Sequence, residues 1–203
     1  MSSAPESAEL AALIRRLGTP EVEDRERAGG EIFRRGQELA RNPVTQWLSD
    51  PEFAANLVLD SSQFPETTVG VAVRQENFDR IRAANGAPRL ADVPPDQDAK
   101  EFELHFAQGT RLDILTSLAP EAAGAIARYL QKFGEGIQQV ELLTRNIDRA
   151  TEILRSRFGV QPIYPATRAG ADGTRVNFFL VASPEKGKIL IELVELDAVA
   201  PNG

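Results

Sequence analysis

The sequence predicts an α+β fold, and three observations carry that prediction. Residues 1–60 read as a helical segment. A strand–helix–strand–strand–strand order follows over about residues 66–117. The same order returns over about 137–196. The repeat is one of topology, not of residue identity. The chain has 203 residues and 42% hydrophobic content, which suits one large domain with a small extension. The expected division is a helical segment at 1–60, a main domain at 61–197 and a tail at 198–203.

The helical segment shows its period at once. In "AELAALIRRLG", Leu10, Leu13, Ile14 and Leu17 share one face, and Gly18 can end the helix. Thr19-Pro20, Asn42-Pro43 and Asp50-Pro51 each set a capping residue before a proline suited to the first helical position. Three or four short helices joined by tight turns are expected. They serve as a cap on the main domain, or alternatively as a partner-binding module.

The first unit opens with the strand "TTVGVAV" (67–73) and the helix "QENFDRIRAANG" (75–86), closed by Gly86. A short strand near Arg89-Leu90 and a Pro- and Asp-rich loop, "ADVPPDQDA" (91–99), come next; the loop is a lid or a plain surface connection. "KEFELHFAQGTRLDILTSL" (100–118) is two strands about a turn at Gln108-Gly109. A linking helix spans 119–134. The second unit has the strand "IQQVELL" (137–143), a helix over 146–159 with Asn146 as N-cap, and an edge strand at 161–168 broken by Pro165. Two long strands, "TRVNFFLVA" and "GKILIELVEL", complete it.

Composition removes several functions. The 30 acidic and 23 basic residues leave a net charge of −7, which repels nucleic acid and anionic lipid. No cysteine is present, so disulfides, thiolate nucleophiles and zinc–sulfur sites are excluded. The start "MSSAPESAEL" lacks the basic and apolar regions of a signal peptide, and no apolar run is long enough for a membrane span. A cytoplasmic protein acting on a small molecule is the expectation. The one histidine, His105, rules out a two-histidine metal site within one chain.

The segment "GAIARYLQKFGEGIQQVELL" (124–143) resembles the linker between units in methylmalonyl-CoA epimerases of the vicinal oxygen chelate (glyoxalase-like) superfamily. "TTVGVAV" (67–73) and "LIELVE" (190–195) are similar to that family's first and last strands. The resemblance covers about residues 66–196 and implies a glyoxalase-like cupped sheet. It also implies metal ligands from the first and last strands of each unit. Carried over by position, these are Thr68, Asp113, Gln139 and Glu192, so both family histidines are replaced. An isomerase or lyase acting by α-proton transfer on an acyl-CoA or carboxylic acid is implied. The alternative is a non-catalytic binding protein with a degenerate metal site. The two units can close within one chain or across a homodimer.

Strand alternation tests this cup independently, because side chains two apart share a face. Val140 and Leu142 face one way and Gln139 and Glu141 the other, towards the cup. Gln138 is then the outward or packing member of its pair. Glu192, flanked by Leu190 and Val194, and Asp113 each set an acid into an apolar strand, a costly choice unless paired or coordinated. Glu101, Glu103 and His105 share the face opposite Phe102, Leu104 and Phe106. Candidate metal ligands are Glu192, Asp113, Gln139 and His105. Their oxygens favour Mg²⁺, Mn²⁺ or Ca²⁺ over Zn²⁺, or no metal is used at all. Glu192 and Glu141 are candidate proton-transfer groups. Gln139, Tyr164, Arg168, Arg175 and Asn177 are candidate substrate-binding residues, the arginines because a guanidinium suits carboxylate or phosphate.

Overall fold

The computed structural model describes residues 4–60, 63–119, 124–183 and 187–196. The elements are α1 (Ala4–Arg16), α2 (Val22–Leu48), α3 (Pro51–Asn56), β1 (Thr67–Ala72), α4 (Gln75–Ala84), β2 (Ala99–His105), β3 (Arg111–Ser117), α5 (Ala125–Phe133), β4 (Gly136–Thr144), α6 (Ile147–Arg157), β5 (Arg168–Ala169), β6 (Arg175–Ser183) and β7 (Gly187–Glu195). The strands form one sheet in the order β2-β3-β1-β4-β7-β6-β5. At its middle β1 and β4 run antiparallel, and each has a parallel neighbour on its other side, β3 and β7. The two units therefore join edge to edge within one chain.

Each unit departs from the expected strand count in the same place. No strand forms near Arg89-Leu90; only the Ala91 N–H reaches β2, donating to the Glu101 carbonyl. In the second unit the expected strand at 161–168 reduces to an isolated bridge at Pro162 and the two residues of β5. Pro88, Pro94 and Pro95 in one segment, and Pro162 and Pro165 in the other, remove the donors a longer ladder needs.

Alternation sorts the sheet into an apolar face and a mixed face. Val69, Val71, Phe102, Leu112, Ile114, Val140, Leu142, Ile191 and Leu193 are buried in one core with the helices. The helical segment is integral to that core. Asp50 caps α3 as expected, accepting from the Glu52 and Phe53 N–H groups. Asn42-Pro43, by contrast, starts no helix. Residues 22–48 form one 27-residue helix with Pro43 inside it. Its buried face, including Ile32, Leu39, Val44 and Trp47, continues past the proline, and burial outweighs the lost backbone bond. Thr19 likewise caps nothing; its hydroxyl donates to the Arg16 carbonyl, and α2 begins after Glu21.

The approach of α2 to the sheet depends on missing side chains. A Cβ at Gly36 would lie 2.5 and 2.6 Å from the two methyls of the buried Val69. Gly36→Val is expected to lower the unfolding free energy by about 1–3 kcal/mol through this overlap. Gly30 meets nothing within 4 Å. Gly30→Ala should therefore gain up to about 1 kcal/mol from helix propensity alone. Urea unfolding of both variants checks the pair of outcomes.

Candidate functional site

The concave face of the sheet bounds a cavity of about 890 Å³. Two neighbouring rows of residues cross its floor. In one, Glu103 on β2 stands opposite Asp113 on β3, Asp113 opposite Gly70 on β1, Gly70 opposite Gln139 on β4, and Gln139 opposite Leu190 on β7. In the other, Thr68 stands opposite Glu141, Glu141 opposite Glu192, and Glu192 opposite Phe178. The structure thus brings Asp113, Gln139, Glu141 and Glu192 onto one floor, as strand alternation implied.

Both glutamines of β4 line this cavity. Between Gly70 and Val71 the register slips, so that Gly70 pairs with Gln139 while Val71 pairs with Ile137. Gln138 is the extra residue of a β-bulge, which breaks the alternation and re-aims a side chain. Gln138, expected as the outward or packing member of its pair, is buried and lines the cavity because of this bulge. Its Oε1 is buried and accepts no hydrogen bond, and the residue is 8% exposed. Gly70 lets the Gln139 side chain pack close against β1: a Cβ there would sit 2.5 Å from Gln139 Cγ. A glycine inside an apolar strand was the available signal of a close approach.

Gln139 bridges two acids. Its Nε2 donates to Glu141 Oε1 at 3.0 Å and to Glu192 Oε2 at 2.5 Å. Asp113 and Glu141 share a further hydrogen bond, which requires a proton between them. Burial raises the Glu141 carboxyl to about 8, the Glu192 charge adds to the rise, and the bonds from Asp113 and Gln139 oppose it. Burial also holds Asp113 and Glu192 well above the carboxylate range, reinforced by neighbouring acids. Glu101 rises to about 7 through burial, then through the charges of Asp172 and Glu103. A floor of this kind carries fewer charges at neutral pH than its acid count.

The wall holds arginines already engaged. Arg111 pairs with Glu66 at 2.8 Å, and Arg89 with Asp172 at 2.6 Å. Arg168 pairs with Asp96 and lies over the Tyr164 ring, 4.4 Å from its centroid. Tyr164 and Arg168 both line the cavity. Residues 91–99 belong to its wall through Ala91, Asp96, Gln97 and Ala99. This loop is bound to the second unit: Gln97 Nε2 donates to the Ala169 carbonyl at 2.9 Å, and Asp92 and Asp172 exchange contacts through the Asp92 N–H and the Asp172 N–H.

Three expected site residues lie elsewhere. Asn177 stands opposite Leu193 on the helix-facing side of β6 and is fully buried there, because the cup face of that strand belongs to Val176 and Phe178. Arg175 shares the side of Asn177 and is held by Asp148 at 2.5 Å and Glu195 at 3.2 Å, at the start of α6. His105 sits at the end of β2, paired with Glu103 at 3.0 Å and with a side chain 66% exposed, and it does not line the cavity.

A divalent ion needs oxygens converging at about 2.0–2.6 Å. Among the described residues no three His, Asp or Glu side chains are so arranged. The Gln139 amide nitrogen, a donor, stands between the two carboxylates that would have to turn to such an ion. The donor set as arranged does not fit a metal.

Two strand-rich units joined through β1 and β4 around an open cup define a glyoxalase-like, vicinal oxygen chelate fold. Among solved structures, the chain is similar to methylmalonyl-CoA epimerase from Mycobacterium tuberculosis, at 29% identity over 63% of this chain and 85% of that one, with a TM-score of 0.52. A hypothetical protein from Bacillus halodurans C-125 is similar at 27% identity over 66% and 96%, with a TM-score of 0.54. A methylmalonyl-CoA epimerase in complex with methylmalonyl-CoA and NH4+ shares the fold at 23% identity over 71% and 97%, with a TM-score of 0.52. No protein-family model and no curated protein matches the chain.

The acid floor makes stability pH-dependent with a defined sign. Glu101 binds its proton more tightly folded, at about 7, than at its ordinary 4.5. Its contribution is therefore fully present below about pH 4.5 and is lost as pH rises through about 7, a swing of up to about 3 kcal/mol. Glu101→Gln should retain more stability than the parent at pH 8 and close to the same at pH 4.5. Urea unfolding at the two pH values measures it.

Proposed function

We propose that the chain is a small-molecule enzyme, an isomerase or lyase that moves a proton at the carbon beside a thioester or carboxylic acid carbonyl. The observation that carries this reading is the Glu141–Gln139–Glu192 bridge at the floor of the cup. A carboxyl near pH 8, as at Glu141, is well matched to general base catalysis at neutral pH. In this mechanism ionised Glu141 takes the α-proton. The enolate oxygen accepts a hydrogen bond from a floor carboxyl that has kept its proton. Glu192 then returns a proton to carbon in an isomerisation, or a β-substituent departs in an elimination. In this reading Arg168, paired with Asp96 at the wall, exchanges that partner for an anionic part of the substrate. The acid floor favours a thioester carbonyl there over a free carboxylate. The acyl-CoA compound held by a fold relative supports the same substrate class.

A second reading is a binding protein without turnover. It is favoured by the Gln139 amide, whose two donors already satisfy both carboxylates. Incubation of acyl-CoA thioesters with the protein in deuterated water separates the two. Deuterium is expected at the α-carbon, and Glu141→Gln or Glu192→Gln should slow its entry by about 10²–10⁴-fold. Thioester binding with no deuterium uptake would leave only the binding protein. Chelation should not change the rate; a loss restored by Mn²⁺ would return the metal to the mechanism.

A further inference from the structure

We infer that the acyl group taken by this cup is apolar, with a branched or aromatic substituent on the α-carbon and no second carboxylate. This deepens the proton-transfer reading and rests on it for one point, that the α-carbon meets Glu141 and Glu192. The two halves of the cup differ in chemistry. On the side of the first unit, β2 and β3 present the charged Glu101, Glu103, Arg111 and Asp113 to the cavity. On the side of the second unit, β6 and β7 present Val176, Phe178, Leu190 and Val194, with Glu192 the one polar side chain among them.

Strand register places Glu192 at the border between the two. It stands opposite Glu141 on one side and Phe178 on the other, and Leu190 and Val194 flank it along β7. Val194 in turn lies between Leu143 and Val176. Beyond Phe178 the apolar surface continues to Tyr164, whose ring meets that of Phe178 edge-on with centroids 6.0 Å apart. Ile163 extends it further, its N–H donating to the Phe178 carbonyl. All of these side chains line the cavity. A carbon that exchanges a proton with Glu192 has its carbonyl over the acid floor, where the enolate oxygen finds its donor. Its substituent then falls on the apolar surface.

Charge points the same way. No Lys or Arg of β4, β6 or β7 lines the cavity. Arg168 lies two strands from Glu192, opposite Val176 on β5, and is held by Asp96. A carboxylate on the α-carbon would be desolvated among Phe178, Leu190 and Val194, beside Glu141 and Glu192, and that burial is costly. An apolar substituent in the same place gives up no hydrogen bond, and it gains contact with an aromatic ring and aliphatic side chains.

Phenylacetyl-CoA, acetyl-CoA and malonyl-CoA are the probes, titrated calorimetrically into the full chain at neutral pH. Phenylacetyl-CoA is expected to bind about tenfold or more tightly than acetyl-CoA, and malonyl-CoA no more tightly than acetyl-CoA. Phe178→Ala should reduce the phenylacetyl preference several-fold, and Phe178→Leu should keep most of it. If Phe178→Ala does not fold, Ile163→Ala, at a half-exposed position, carries the same test. Failure of phenylacetyl-CoA to bind, equal binding of phenylacetyl-CoA and acetyl-CoA, tighter binding of malonyl-CoA, or a preference unchanged in the folded variant would each overturn the inference. Deuterium entry into acetyl-CoA without a phenylacetyl preference would leave proton transfer standing and remove the apolar acyl site. A phenylacetyl preference without deuterium entry would leave that site standing and remove proton transfer.

Discussion

The antiparallel pairing of β1 with β4 is the constraint on which the molecule depends. It places the first strands of both units side by side at the centre of one sheet. With a period of two, every second residue of each central strand must then face the same concavity. Val69, Val71, Val140 and Leu142 take the helix side, which commits Thr68, Gln139 and Glu141 to the cup. The parallel neighbours β3 and β7 add Asp113 to the row of Gln139 and Glu192 to the neighbouring row of Glu141. One pairing thus decides both the core and the chemistry.

The acids on the floor are a cost to folding, since burial raises each of them towards neutrality. The opposite face offsets that cost. There α2 runs across the sheet and buries Ile32, Leu39, Val44 and Trp47 in the same core as the strands. The helical segment is better understood as the stabilising layer of the cup than as an appendage. Its glycine at the Val69 contact shows how closely it is fitted. The acid floor and the stabilising helical layer are separated by the thickness of the sheet.

The floor itself is organised by an amide. A histidine in place of Gln139 would present a ring nitrogen to a metal; Gln139 instead presents two N–H donors to two carboxylates. The result keeps the acids close and partly neutral. The bulge beside it brings Gln138 into the same space and leaves an acceptor with nothing to accept.

Much was legible in the sequence alone. The repeated order of elements, the apolar alternation of β1, β3, β4 and β7, and the acids interrupting it depend only on local period and on the cost of burying charge. They located Asp113, Gln139, Glu141 and Glu192. What the sequence could not show depends on partners distant in the chain. Gln138 enters the cup through a register slip against β1, and a bulge has no pattern of its own to read. Asn177 and Arg175 fall on the helix side because β6 takes its phase from its pairing with β7, and the local run "VNFFLV" is apolar on both faces. Pro43 stays inside a helix because the sheet beneath rewards a continuous apolar face. Period sets which residues can share a face; only pairing between distant strands decides which face it is.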